Sequence, residues 1–510
     1  MELGLPPINW VHACWFALIP LLWAQEQGTW KRALALGWIA GGVANLICFR
    51  WMFALMETHS GIPAPAAALL TLLAALQQGL AWGLWLALCR WVNDRAPGFW
   101  VYPVMWVMVE HFYPVLFRVY LANYQHDSLW ISQCLDLAGP SPLSFVIVSV
   151  NVGLWRMLRR GRAGVELAWA AGMVAAVLLY GVVRTSQVEA SLAGAERLRV
   201  GIVENDIGIA RTPELRWQAH QRLLALSAQA RAEGAELLVF PETAVKVPPP
   251  PHRRPGEAAL RTALVSSYPL QGEYYDPSAA TSPQFQVQLP LLMGVVTEDD
   301  RRINPASGRP ARFNTALLLD ADGTVLGRAL KNHLLLFGEH IPGSGWFPGL
   351  YRRFLPKAAK LLPGTEPGVL TFRGYRLGIS ICYEDLLPEY NFALAQRDPH
   401  VLVNLTNDAW FGRSIEPFCH LYMARSRCIE LRRFMVRATC TGVSALIDPL
   451  GRIVARTRVD DPEVLVGEVA CLQGTSLFAR VGNSFAWLCL GVTLWWLYPV
   501  MSRLRPRKRA

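Results

Sequence analysis

The stretch "GISICYEDLLPE", Gly378–Glu389, decides how this chain is read. Its apolar run has the look of a buried strand. It ends on Cys382, and two residues later comes a carboxylate, Glu384. Such a cysteine reads two ways. It is a small hydrophobe closing the end of a strand, or a nucleophile held at the strand's mouth.

Working outward, short β-rich runs alternate with amphipathic helices from about residue 198. "LRVGIVEND", "AELLVFPE", "QLPLLMGVVTED", "FNTALLLD", "TVLGRALK", "RLGISICYED" and "HVLVNLTND" read as strands. "PELRWQAHQRLLALSAQARAEG" reads as a helix with Gly234 just past its end, and "IEPFCHLYMARSRCIELRRF" as a second. Strand–helix alternation followed by a strand-rich end predicts an α/β domain with layered sheets over 190–480. The Pro-rich run "KVPPPPHRRPGE" predicts a loop across 244–285.

The flanks differ. Of 510 residues 53% are hydrophobic and only 17% charged, and the apolar excess lies in the first 185 residues and the last 30. A bilayer crossing needs about 20 apolar residues. Spans are expected at 8–24, 33–55, 65–89, 98–117, 142–158 and 166–183, with a last one at 484–501. The predicted domains are transmembrane helices within 1–185, the α/β domain at 190–480, a transmembrane helix at 484–501 and a basic cytoplasmic tail at 502–510.

The net charge of +11 does not point to nucleic acid, because the basic residues cluster at the ends of apolar runs. Lys31 and Arg32, Arg90 and Arg95, the four arginines of "RMLRRGRAG" and the tail mark every second connection. Those loops belong in the cytoplasm, which puts the α/β domain on the opposite face. Six spans before it would leave the N-terminus outside as well; a missing or unrecognised first span would restore the parity. Ten cysteines without a C-x-x-C pair predict neither a disulfide framework nor a zinc site.

Three stretches carry reactive side chains at strand ends, where a rigid scaffold meets an accessible loop. "VFPET" holds Glu242, "LKNHLLLFGEHIP" holds Lys331 and Glu339, and "ISICYED" holds Cys382, Tyr383 and Glu384. Taken singly, each is an ordinary buried thiol or surface charge. In this order and setting, Glu242, Lys331 and Cys382 resemble the Glu–Lys–Cys triad of the nitrilase (carbon–nitrogen hydrolase) superfamily. "KNHLLLFGEHIP", "ICYED", "NLTNDAWFGRSIEPFCHLYMARSRCIELRRFMVRAT" and "GNSFAW" resemble the apolipoprotein N-acyltransferases of that superfamily.

The resemblance implies a polytopic α-helical membrane domain plus an α/β nitrilase-like domain, an αββα sandwich. The enzyme would sit in the bacterial inner membrane with its catalytic domain facing the periplasm. Cys382 would attack a phospholipid ester, phosphatidylethanolamine above others, and hold the acyl chain as a thioester. The α-amine of a diacylglyceryl-cysteine apolipoprotein would then take it. Glu242 would be the general base and Lys331 the positive charge at the oxyanion. Glu339, Glu384 and Tyr383 would support the triad, while Trp217, Asn407, Asp408 and Trp410 would contact substrate. No cofactor, metal or nucleic acid is expected, the bilayer is, and the protein would be a monomer.

"GSGWFPGLYRRFL", 343–355, has the aromatic and arginine mixture of a membrane-surface lid. His420 is expected to be structural, and Arg425, Arg427 and Arg437 to form a buried ion-pair network. The chain departs from the family at Leu336, Cys419 and "TCTG", 439–442, which includes Cys440. These departures bear on donor and acceptor preference more than on the chemistry. Competing readings are a membrane-tethered hydrolase, a paralogue with another amine acceptor, and a transporter or scaffold with a relict domain.

Overall fold

The computed structural model describes residues 8–59, 62–93, 98–206, 213–244, 263–264, 288–304, 310–322, 324–335, 339, 349, 361–412, 414–459 and 461–503. Two compact units divide the chain. One holds Met1–Glu57, Ile62–Glu189 and Ser476–Ala510, the other Thr58–Gly61 and Ala190–Thr475.

The first unit is helical. Among the described residues, Ala64–Asn93, Ser141–Arg160 and Val165–Ala193 are long and apolar enough to cross a membrane. Trp30–Cys48 and Trp51–Glu57, bent by 56°, make a fourth if taken as one span. Val11–Ala24 and Ser484–Tyr498 are shorter apolar helices. The stretch expected as a span at 98–117 is only a 12-residue helix, Val101–Phe112. It stops because Tyr113 precedes Pro114 and is pushed to an extended conformation, ψ 130°.

Residues 8–24 also differ from one continuous helix. A 3-10 turn, Val11–Trp15, gives way to a helix Ile19–Ala24 with Pro20 in its first turn. Asn151 bridges that break, accepting from Leu18 N at 3.0 Å and donating to Cys14 O at 2.9 Å. Backbone groups freed at a break must find partners where water is absent, and here a side chain supplies them. Glu110 acts likewise: its Oε1 accepts from Leu121 N at 2.6 Å and from Trp106 Nε1 at 2.9 Å.

Trp30–Cys48 and Ala64–Asn93 pack backbone to backbone. A Cβ on Gly79 would lie 2.2 Å from Gly42 N and 2.6 Å from Gly41 C, and one on Gly37 2.5 Å from Trp82 O. Small residues replace a hydrophobic driving force between helices in lipid, because close approach maximises dispersion contact.

The second unit is two stacked sheets. The first sheet has seven strands: β1 (Arg197–Glu204), β2 (Leu237–Val239), β3 (Ala263–Leu264), β4 (Leu291–Ile303), β5 (Pro310–Leu319), β6 (Val325–Leu330) and one from the end of the unit. The second contains β7 (Gly368–Phe372), β8 (Tyr375–Ile381), β9 (Val401–Thr406), β10 (Met435–Thr439), β11 (Ala445–Ile447) and β12 (Ile453–Arg456), in reverse chain order. β13 (Glu463–Ala470) returns to the first sheet, whose order is β13-β1-β2-β4-β5-β6 with β3 on β4.

Alternate strand residues explain the layers. Val200 and Ile202 of β1, Val239 of β2, Ile379 and Ile381 of β8 and Val403 and Leu405 of β9 meet in one core between the sheets. Val203, Leu238 and Phe240 face the other way, into a core shared with Leu223 and Ala230 of helix Pro213–Ala232. Burying each such side chain contributes about 1.5–3 kcal/mol. Helices Pro388–Ala395 and Glu416–Leu431 follow β8 and β9, completing the crossovers that parallel strands require.

The site lies where parallel strands end. β1, β2 and β4 run parallel in one sheet, β8, β9 and β10 in the other. The residues just past β2, β8 and β9 include Glu242, Cys382 and Asn407.

Candidate active site

Glu242 sits on a turn pressed against β4. A Cβ on Gly294 would fall 2.4 Å from Pro241 O and 2.6 Å from Glu242 Cα, so only glycine admits the turn. Glu242 N donates to Thr406 O at 3.4 Å, and Cys440 Sγ donates to Glu242 O at 3.1 Å. Lys331 follows β6 and is held beside Asn314 of β5 by a backbone bond, Lys331 N to Asn314 O, 2.9 Å.

Lys331 is 1% exposed and pairs with two carboxylates. Its Nζ lies 3.1 Å from Glu242 Oε1 and 2.8 Å from Glu339 Oε2. Asn314 Nδ2 donates to both acids, at 2.6 Å to Glu242 Oε1 and 2.8 Å to Glu339 Oε1. Glu339 Oε2 also accepts from Leu335 N at 2.9 Å. Glu242 Oε2 finds no hydrogen-bond partner among the described residues. Asn314 is a member the sequence reading missed. Its signal was a polar side chain inside the apolar strand "FNTALLLD".

The two acids differ electrically although both are buried. Burial raises the Glu242 pKa; Lys331 opposes this, Glu339 reinforces it, and the result is above the ordinary value. Burial also works against Glu339, but Lys331 and the Leu335 N–H outweigh it and hold that acid below its ordinary value. For Lys331, burial disfavours the charge, yet Glu242, Glu339 and Cys382 overcome it and raise its pKa.

Cys382 opens a short 3-10 turn, Cys382–Leu386, with φ +55°. Non-glycine residues rarely adopt this left-handed conformation. The thiol is buried, and burial and Glu242 push its pKa well above the ordinary value despite the opposing charge of Lys331. Asn404 Nδ2 donates to Cys382 O at 3.0 Å.

The next two residues tie the turn to the segment after Lys331. Glu384 Oε1 accepts from Asn332 N at 2.6 Å and His333 N at 2.9 Å, and Oε2 from Ile381 N at 2.8 Å. Burial outweighs these bonds and pushes the Glu384 acid up to about 7. Tyr383 Oη donates to Leu334 O at 3.0 Å, with Lys331 Nζ 5.8 Å from its ring centroid.

Other expected residues fall elsewhere. Asn407 accepts from Ala409 N at 3.1 Å and caps the turn Asp408–Phe411. Asp408 is buried and bound by His420 and Arg437. Trp217 lies on helix Pro213–Ala232 and Trp410 on the turn Asp408–Phe411, but both side chains lie outside the described residues. So do Leu336, the tail from 504, the 244–285 loop apart from 244 and 263–264, and the 343–355 stretch apart from Gly349. Of the three arginines, Arg425 Nε donates to Gly451 O, Arg427 pairs with Glu430, and Arg437 pairs with Asp385 and Asp408.

A buried thiol beside a lysine and two unlike carboxylates can carry acyl transfer. One acid can move a proton, and the lysine can meet a developing negative charge. The carbon-nitrogen hydrolase family model matches residues 199–473, and the apolipoprotein N-acyltransferase N-terminal domain model matches residues 1–153. The apolipoprotein N-acyltransferase of Azotobacter vinelandii is 30% identical, covering 100% of this chain and 94% of that one. That of Gloeobacter violaceus is 30% identical over 97% of this chain and 91% of its own, and that of Geobacter metallireducens 28% over 96% and 89%. Among solved structures, a mutant of the Nesterenkonia AN1 amidase from the nitrilase superfamily is 18% identical, TM-score 0.36, covering 58% of this chain and 97% of that one. Saccharomyces cerevisiae Nit3 is 16% identical, TM-score 0.36, covering 56% and 93%.

Proposed function

The chain belongs to the apolipoprotein N-acyltransferase family of carbon-nitrogen hydrolases, and from that premise we propose how it works. It is an acyltransferase that takes an acyl chain from a phospholipid and delivers it to the N-terminal α-amine of a lipoprotein. Phosphatidylethanolamine is the donor and a diacylglyceryl-cysteine apolipoprotein the acceptor. It works as a monomer in the bacterial inner membrane with the α/β unit, about 190–480, in the periplasm.

The observation that supports this reading is the ion-paired Glu242–Lys331–Glu339 cluster in electrostatic contact with Cys382. Burial keeps the thiol protonated at rest, so attack needs a base in the same step. Glu242 takes that proton on Oε2, because Oε1 is already held by Lys331 and Asn314. Its raised pKa makes it the stronger base of the pair. The sulfur bonds to the ester carbon, and Lys331 stabilises the oxyanion. The ester C–O bond then breaks as Glu242 returns its proton to the leaving lysophospholipid oxygen. The lipoprotein amine attacks the thioester, the C–S bond breaks, and the amine's surplus proton passes through Glu242 to the sulfur. Glu339 stays ionised and balances Lys331 throughout.

The test is intact mass of the protein incubated with phosphatidylethanolamine, beside Cys382→Ala. A hydroxylamine-labile adduct of one acyl chain, absent from the variant and cleared by a diacylglyceryl peptide, is expected. No adduct while phospholipid binds would sink the mechanism. Clearance by water as fast as by the amine would make the protein a hydrolase.

A further inference from the structure

Beneath the nucleophile turn lies a closed ring of four side chains that the acyl-transfer steps do not use. Arg437 of β10 donates through Nη1 to Asp385 Oδ2 at 2.7 Å and through Nη2 to Asp408 Oδ2 at 3.0 Å. His420 of helix Glu416–Leu431 closes the other side, Nε2 on Asp385 Oδ1 at 3.0 Å and Nδ1 on Asp408 Oδ1 at 2.9 Å. A carboxylate only accepts, so both ring nitrogens carry protons and His420 is a cation. Two cations thus face two anions, with side chains at most 2% exposed. Burial and Arg437 oppose the imidazolium, yet Asp385 and Asp408 prevail and its pKa rises to about 10. The neighbouring acid, Glu416, is pushed by burial up to about 8 and stays neutral, so the ring remains balanced.

The four members come from four places that meet at Cys382. Asp385 lies in the nucleophile's own turn, Asp408 starts the turn after β9, His420 is on the following helix, and Arg437 is on β10. Arg437 Nη1 also donates to Asn404 Oδ1 at 2.9 Å, and Asn404 Nδ2 donates to Cys382 O and Ser380 Oγ. The nucleophile's backbone is therefore gripped from both sides, by Asp385 three residues on and by Asn404 at its carbonyl.

We propose that this closed ring is a positioning device for the nucleophile: through Asp385 and Asn404 it holds the Cys382 backbone in the left-handed conformation that aims the thiol at Glu242 and Lys331. The inference rests on the reading of Cys382 as the nucleophile. The side-chain hydrogen bonds described for the four run to one another, to Asn404 and to Thr406, so they act through the backbone that carries the thiol. A fork and a two-nitrogen ring suit this task because each bonds both carboxylates at fixed angles.

The experiment uses the full-length protein in detergent micelles, free of phospholipid for Cys382 alkylation by iodoacetamide and peptide mapping, with phosphatidylethanolamine added only to measure acyl-enzyme formation. Alkylation needs neither acyl donor nor acceptor, so it reports on the ring even if the acyl-transfer reading fails. In His420→Gln, Cys382 alkylation and the kcat of acyl-enzyme formation are expected to fall together, on the order of tenfold or more. The KM for phospholipid should stay within about twofold, because the bonds lost are to the fully buried side chains of Asp385 and Asp408. A folded His420→Gln protein that alkylates at the wild-type rate would overturn the proposal. Should that variant fail to fold, Asn404→Ser decides, since it leaves all four ring members in place. Slower alkylation is expected there, and a wild-type rate would overturn the proposal.

Discussion

Lys331 is nearer to Glu339, at 2.8 Å, than to Glu242, at 3.1 Å. The ion pair proper is therefore Lys331–Glu339, and Glu242 is left as a carboxyl group whose pKa is raised. Opposite displacement of two neighbouring acids separates a proton-transfer role from a charge-balancing one.

The two acids should fail differently when neutralised. Glu242→Gln should slow acyl-enzyme formation about 10²–10⁴-fold while the melting temperature hardly moves. Glu339→Gln strips Lys331 of its main counter-charge and should cost about 3–5 kcal/mol of stability as well as activity. Single-turnover mass measurements and thermal melts on both variants check this. Equal destabilisation would defeat the division of labour.

Asn314 gives a pH prediction. Its hydrogen bond favours ionised Glu242, so Asn314→Leu should raise that pKa further. The base must be ionised to act, so the acid limb of the acyl-enzyme rate should move to higher pH in the variant. Below the limb the rate should drop on the order of tenfold, the worth of one bond to a charged group. An unmoved limb would mean that Glu242 is not the group being titrated.

Glu204 joins the two sheets. Its Oε2 accepts from Ser444 Oγ at 2.7 Å and Thr457 Oγ1 at 2.6 Å, while burial pushes the acid up from 4.5 to about 8. Unfolded, it gives up its proton near 4.5; folded, it keeps it to about 8. Between those values the folded state binds more protons, so stability falls as pH rises, by up to about 1.4 kcal/mol per unit. Above pH 8 the deficit is complete. Glu204→Gln should remove this share of the slope, read as melting temperature against pH in both proteins.

The helical unit offers a packing test. Gly79→Ala forces the helix Ala64–Asn93 away from Trp30–Cys48 and should cost about 1–3 kcal/mol. Gly172→Ala is the control, because a Cβ there meets nothing within 4 Å. Equal melting temperatures for the two would refute the packing account.

The strands of the α/β unit were legible because their apolar runs are continuous, and helix Pro213–Ala232 because its stripe ends at Gly234. Cys382, Glu242 and Lys331 were not legible from periodicity; each is an ordinary residue until the longer strings around it are compared with a family. Asn314 was missed because its partner Glu242 is 72 residues away and no local pattern joins them. Asp385 was missed for the same reason, lying 52 residues from Arg437, whose own buried ion pairing was expected. Hydropathy read 98–117 as one span because it scores composition and ignores the extended bias that Pro114 imposes on Tyr113.

The left-handed backbone at Cys382 sets natural selection a dilemma. Glycine would adopt φ +55° without the roughly 1–2 kcal/mol that a side chain costs there. A population screened only for thermal tolerance would weigh that relief against the packing of a thiol buried in the core, with no reason to keep the sulfur itself. Any lineage that keeps cysteine here carries that cost in every generation, and comparing tolerance-selected with activity-selected libraries would expose it as different enrichment at a single codon.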